Sequence, residues 1–158
     1  MIKNFSKNGP AQSGNDEFSE KVVRVSRVSK KRAGGSKISF SAIVVVGDKK
    51  GKVGVGLGKA PTVSLAVAKG SAYAKRHLVE ITLRKGTIIH EVRVKRGAAK
   101  ILLKPAPEGS GIIAGGSVRA VVEMAGIKNI SSKILGTGNQ ASNIYATLEA
   151  LKQLSVSQ

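Results

Sequence analysis

The chain has 158 residues, enough for one ordinary domain or two small ones, and carries 27 Lys and Arg against 9 Asp and Glu, a formal net charge of +18. It has no Cys and only two His, which excludes disulfides, a thiol nucleophile and the usual zinc spacings. No apolar run approaches the roughly 18 residues of a membrane span; nucleic acid is the common polyanion that such an excess attracts, with an anionic membrane second.

Residues 1–19 are polar with scattered apolar side chains and read as a disordered arm. The arm lacks the apolar core of a signal peptide and carries Asp16 and Glu17, as expected of a cytoplasmic protein. A first strand is expected over about 20–28, where the alternation slips after Val25; a bulge would account for this and leaves the faces of Arg24 and Arg27 open. A glycine-containing loop, Ser29 to Lys37, then carries Lys30, Lys31, Arg32 and Lys37 around Gly34 and Gly35. Ile38, Phe40, Ala42, Val44 and Val46 alternate with Ser39 and Ser41, the period of a half-buried strand, and from Ile43 both faces turn apolar. A second loop, Gly47 to Lys52, carries Lys49, Lys50 and Lys52, and a third strand follows to Gly58, with Gly54, Gly56 and Gly58 on one face and Lys59 just beyond. A bare glycine face marks close approach of another backbone or of a ligand. Thr62 is placed to cap a helix to about Leu78.

Beyond it, short β-like runs are expected over 79–83, 88–94 and 99–104, parted by Arg84-Lys85-Gly86 and Lys95-Arg96-Gly97. A loop over 105–113, a helix over 117–125 ended by Gly126, a strand over 130–135 and an amphipathic helix over 141–154 complete the chain. The class is α+β, with domains at 20–78 and 79–154 and a short tail at 155–158.

Residues 20–104 hold 21 basic and 4 acidic side chains and residues 105–158 hold 4 and 3, so the polyanion is expected to meet the first two thirds of the chain. Aromatics are only 3% of the residues, which argues against stacked, unpaired bases and for recognition of backbone charge and helical shape. The cationic loops are read as two adjacent hairpin tips gripping phosphate, with glycine allowing close approach of the main chain. Enzyme motifs fail individually. The run from Gly54 to Lys59 has Val53 and Ala60 where a phosphate-binding loop needs Gly and Ser or Thr. Gly109 to Ala114 fits GxGxxA but follows a Pro-rich loop, and neighbours His90 and Glu91 would point to opposite faces of a strand. No catalytic residue, cofactor, metal or small-molecule substrate is expected.

Two long blocks, GGSKISFSAIVVVGDKKGKVGVGLGKA from Gly34 and PAPEGSGIIAGGSVRAVVEMAG from Pro105, closely resemble bacterial small-subunit ribosomal protein five, and the similarity covers roughly Glu20 to Leu154. The resemblance implies a first half folded like a double-stranded-RNA-binding domain, with three strands and one helix, and a second small β-α domain. It implies a structural, ribosome-bound protein that binds ribosomal RNA near the channel through which messenger enters. Arg24, Arg27, Lys30, Lys31, Arg32, Gly34, Gly35, Lys37, Lys49, Lys50, Lys52 and Lys59 are the RNA-binding candidates, and the resemblance carries over the segments Val28 to Lys37 and Gly47 to Lys59 that hold all but the first two. Glu108, Gly111, Ile112 and Arg119 then fall at or near a boundary with ribosomal protein four that influences decoding accuracy, and ribosomal protein eight is a further implied neighbour. Ser36 stands where the family usually has Lys or Arg, and Val55 and Leu57 replace usual aromatics. The short end after Leu154 departs from the family's longer tail, which bears on the contact with protein eight. A non-ribosomal regulator of double-stranded RNA and a nucleic-acid enzyme with an unrecognised site are the alternative readings.

Overall fold

A computed structural model describes residues 17–156; most of the expected arm, and the last two residues, lie outside it. The first sheet is an antiparallel meander of β1 (Ser19–Arg32), β2 (Gly35–Gly47) and β3 (Lys52–Ala60), joined at its far edge by β4 (Val79–Glu80). The β1–β2 register shifts between Val22 and Arg24, a bulge N-terminal to the place where the alternation slips; past Val25 the pairing is regular, so Val25 and Val28 simply lie on opposite faces. Helix α1 (Val63–Arg76) crosses one face, and the Thr62 hydroxyl accepts a hydrogen bond from Leu65 N at 3.4 Å as its cap.

The glycine face of β3 is what seats α1. Gly54, Gly56 and Gly58 lie opposite Val46, Val44 and Ala42, and a Cβ on any of them would collide with the α1 carbonyls of Ala74, Gly70 and Ala66 respectively. Gly70 reciprocates from the helix side, since a Cβ there would reach within 3.1 Å of Val44 and 3.2 Å of Gly58 N. The close backbone approach signalled by these glycines is therefore to a helix and not to a phosphate.

The second sheet runs β5 (Val92–Arg96), β6 (Ala99–Pro105), β8 (Ile130–Ile134), β7 (Ile112–Ile113), with β7 parallel to β8 through α2 (Gly116–Ala125). Helix α3 (Gln140–Val156) packs on β5, β6 and α2. The first sheet's second face, Ile43, Val45, Val53 and Val55, joins one buried cluster with Val121 and Met124 of α2, Ile101 and Leu103 of β6, and Ile144 and Leu151 of α3. Only the smaller α1-side core, Ala42, Val44, Val46, Ala60, Ala66 and Ala74, belongs to the first sheet and its own helix.

Some boundaries differ from the sequence expectation. β4 adds to the first sheet rather than opening the second, because Val79 and Glu80 pair with Val53 and Lys52. Residues 84–87 form a tight turn with positive φ at Lys85 and Gly86, and the strand expected from Ile88 begins at Val92 and continues through Lys95 and Arg96 to the Gly97 turn. Ile88, fully buried but outside a strand, explains the misread start: its apolarity serves the core, not a ladder. The expected loop over 105–113 contains β7, held by pairing with β8 that no local signal announces.

Candidate nucleic-acid interface

β3 pairs with β2 only from Phe40 to Gly47, so beyond Phe40 strands β1 and β2 continue as a two-stranded ribbon. Lys30, Arg32 and Lys37 thus belong to strands, and the loop expected over Ser29 to Lys37 shrinks to a turn at Ala33 and Gly34, with φ +90° at Gly34. Nothing lies within 4 Å of a Cβ built on Gly34 or Gly35, so the tip is open.

The register sorts the charges by face. Lys30 lies directly opposite Lys37, Val28 opposite Ser39, Ser26 opposite Ser41, and Ser41 opposite Lys59 of β3. Alternation puts Arg32 on this same face, and Arg24, opposite Ile43, as well. Val28, Ser29, Lys30, Arg32, Lys37, Ser39 and Lys59 line one shallow hollow there. Arg27 and Lys31 point from the reverse face. None of these cations has an ion pair among the described residues. A lysine directly across from a lysine opposes pairing of the strands, and a polyanion laid on the ribbon removes that cost.

The second cationic turn is elsewhere. Consecutive turns of an antiparallel meander fall at opposite ends of the shared strand, and the 13 residues of β2 separate them by up to about 40 Å at ~3.3 Å per residue. The two tips are therefore not adjacent, contrary to the sequence reading. Lys49 and Lys50 are exposed and Lys52 half-buried, on a turn shaped by Asp48, whose carboxylate accepts from Lys50 N at 2.7 Å and Lys52 N at 3.0 Å. Its backbone is bound to the second half: Lys49 N donates to Met124 O, Gly51 N to Ala125 O, and Ile81 N to Gly51 O. The turn docks the halves of the chain as well as displaying charge.

Asn129, buried and missed by the sequence reading, organises the segment carrying Glu108, Gly111 and Ile112. Its side-chain carbonyl accepts from Gly109 N at 3.2 Å and Gly111 N at 3.1 Å, while Ile130 N donates to Gly111 O at 3.1 Å. Glu108 is exposed, Ile112 half-buried in β7, and β7 touches α2. Arg119 is exposed on α2, with Val118, Val121 and Val122 buried as its spacing required. Its Nε donates to Glu123 at 3.0 Å, and the other Glu123 oxygen accepts from Lys21 of β1 at 2.8 Å. Lys21 and Glu123 gave no sequence signal as a pair, being 102 positions apart. The paired hydrogen bonds from Lys21 and Arg119 hold the Glu123 carboxyl below the usual carboxylate range.

Among the described residues no group of His, Asp and Glu is placed to hold a metal, and no helix is long and apolar enough to cross a membrane. The run from Gly54 to Lys59 is a strand covered by α1, not a phosphate loop.

Two family profiles match in tandem: ribosomal protein S5, N-terminal domain, over residues 18–82, and ribosomal protein S5, C-terminal domain, over 94–158. The chain belongs to the ribosomal protein S5 family. Curated relatives named small ribosomal subunit protein uS5 agree. The one from Thermus thermophilus is 51% identical over 138 residues, covering 87% of this chain and 85% of the relative. That from Thermotoga maritima is 50% identical, covering 88% and 78%, and that from Mycoplasmopsis agalactiae 51% identical, covering 97% and 65%. S5 proteins are structural constituents of the small ribosomal subunit, not enzymes, and the α+β class with a sheet-and-helix first half and a β-α second half accords with both S5 domains.

Proposed function

We propose that this chain grips ribosomal RNA of the small subunit chiefly through one face of the β1–β2 ribbon. The observation that carries the reading is the set Arg24, Lys30, Arg32, Lys37 and Lys59 on one face of one sheet, with Lys30 and Lys37 directly opposed and no acidic partner. Gly34 and Gly35 at the open tip let the main chain approach phosphate, and Arg27 and Lys31 supply charge from the reverse side. Lys49, Lys50 and Lys52 form a second contact at the far end of the sheet. The two halves of the chain divide the work: the first, which β4 extends past residue 78, carries the ribbon, and the second meets ribosomal protein four through Glu108, Gly111, Ile112 and Arg119, with protein eight as a further neighbour. The chain then works in the cytoplasm, on the ribosome, near the channel through which messenger enters, and it influences decoding accuracy through the protein-four boundary.

Salt dependence tests the central statement. Each lost phosphate contact removes about 0.7 to 0.9 from the log–log slope of affinity against salt, so Lys30→Ala, Arg32→Ala and Lys37→Ala together should flatten the slope for protein-free small-subunit RNA by about two to three units. An unchanged slope in a folded triple variant removes the ribbon from the RNA interface.

A further inference from the structure

The second sheet has its own unpartnered face. Val92, Val94, Ala99, Ile101 and Leu103 are buried toward the helices, which by alternation turns Arg93, Lys95, Lys100 and Lys104 to the opposite side. The register adds Lys133 of β8, which pairs with Leu102 between Lys100 and Lys104. Lys95 lies directly across from Lys100, so the like-charge opposition of the ribbon recurs on an unrelated sheet. The five cations are exposed, and only Arg93 has an ion pair among the described residues, with Glu91 at 3.6 Å. From Lys100 to Lys104 is about 13 Å along β6, and from β5 to β8 about 10 Å across, at ~3.3 Å per residue and ~4.8 Å per strand.

We propose that this open face is a second RNA-phosphate surface, separate from the ribbon and built by the other half of the chain. It shares with the reading above only the premise that the partner is RNA. The charge suits a phosphate backbone, and the absence of an aromatic side chain from this face leaves no platform for unstacked bases. A protein partner fits poorly, because lysine is depleted from the centres of protein interfaces and here occupies the middle of the patch around half-buried Leu102. The arrangement makes the chain a bridge between two RNA segments: the ribbon holds one and the second sheet the other.

The test compares two triple variants of the full chain on protein-free small-subunit RNA, with poly-glutamate as an acidic-polypeptide control. Lys100→Ala, Lys104→Ala and Lys133→Ala should flatten the salt slope by about two to three units, and combining them with the ribbon variants should add the two reductions. The same three positions changed to Arg should restore the slope, which a packing defect would not allow. An unchanged slope in the folded alanine variant, with the ribbon variant still effective, overturns the second surface and leaves the ribbon standing; the opposite pattern sinks the ribbon and keeps the sheet face. Loss of poly-glutamate binding alone, with RNA binding intact, makes the face a protein contact and also overturns the proposal.

Discussion

At the scale of single residues, glycines that look alike in the sequence have opposite reasons to be there. Gly56 and Gly58 sit under α1 carbonyls, so Gly58→Ala forces strand and helix apart. Overpacking of this kind costs about 1 to 3 kcal/mol or more, and the melting temperature should fall accordingly. Gly116 begins α2 with nothing within 4 Å of an added Cβ and no positive φ. Gly116→Ala should raise the melting temperature slightly, by up to about 1 kcal/mol equivalent; a fall in both variants would contradict the distinction. Asn129→Ala leaves the Gly109 and Gly111 amides without their acceptor, a loss of about 1 to 3 kcal/mol. Faster hydrogen exchange at those two amides, with little change in β1 or β2, would show the loosening to be local.

At the scale of elements, the start of β1 is pinned on both faces by neighbouring residues. Glu20 reaches α1, accepting from Ser71 at 2.6 Å and pairing with Lys75 at 2.7 Å, while Lys21 reaches Glu123 of α2 at 2.8 Å. Burial raises the Glu20 pKa, but the hydrogen bonds from Lys75 and Ser71 outweigh it and the net shift is downward. The Glu123 carboxyl is lowered by Lys21 first and Arg119 second. A carboxyl whose folded pKa lies below its unfolded one adds stability above the unfolded value and loses it as pH falls through the folded value. Acidification from neutral pH to below the ordinary glutamate range should therefore lower the melting temperature, and Glu123→Gln should reduce that dependence while leaving the Glu20 share. These pairs are partly exposed, so the effect is modest and shrinks with salt. An acid response identical in wild type and Glu123→Gln would exclude the clasp as its source.

For the whole molecule, the shared core decides how separable the halves are. Ile43, Val45, Val53 and Val55 are covered by the second half, and uncovering four such side chains forfeits about 6 to 12 kcal/mol at ~1.5 to 3 each, an upper bound comparable with the whole stability of an ordinary domain, about 5 to 15 kcal/mol. A fragment of residues 20–78 should therefore melt far below the intact chain or self-associate, and the intact chain should unfold in one transition. Two separated calorimetric transitions would refute this. The proposed boundary with protein four is tested at the same scale. Gly111 has φ +71°, so Gly111→Arg strains the backbone of the contact segment as well as adding bulk. Arg119→Leu deletes the guanidinium that Glu123 orients. If subunit closure during decoding breaks this boundary, weakening it favours the closed state, and stop-codon readthrough in a reporter should rise in both. Unaltered or lower readthrough in both would remove the boundary's role in accuracy.

Local pattern determined much of this protein. Period-2 alternation fixed the buried faces of β2 and β3, Thr62 and Gly126 marked helix ends, and charge counting pointed to a polyanion. Each is a property of residues within a few positions of one another, which the chain's own geometry translates directly into faces and ends. What depended on distant pairing stayed hidden. Antiparallel register put the two cationic turns at opposite ends of β2, extended the first into a ribbon with Lys30 against Lys37, and carried β4 into the first sheet. Packing of the two halves gave Lys49 and Gly51 backbone partners in α2, made Asn129 the anchor of the Gly109–Gly111 segment, and joined Lys21 to Glu123. A side chain's face follows from its neighbours in sequence, but its partners follow from which strands and helices meet, and only the tertiary structure decides that.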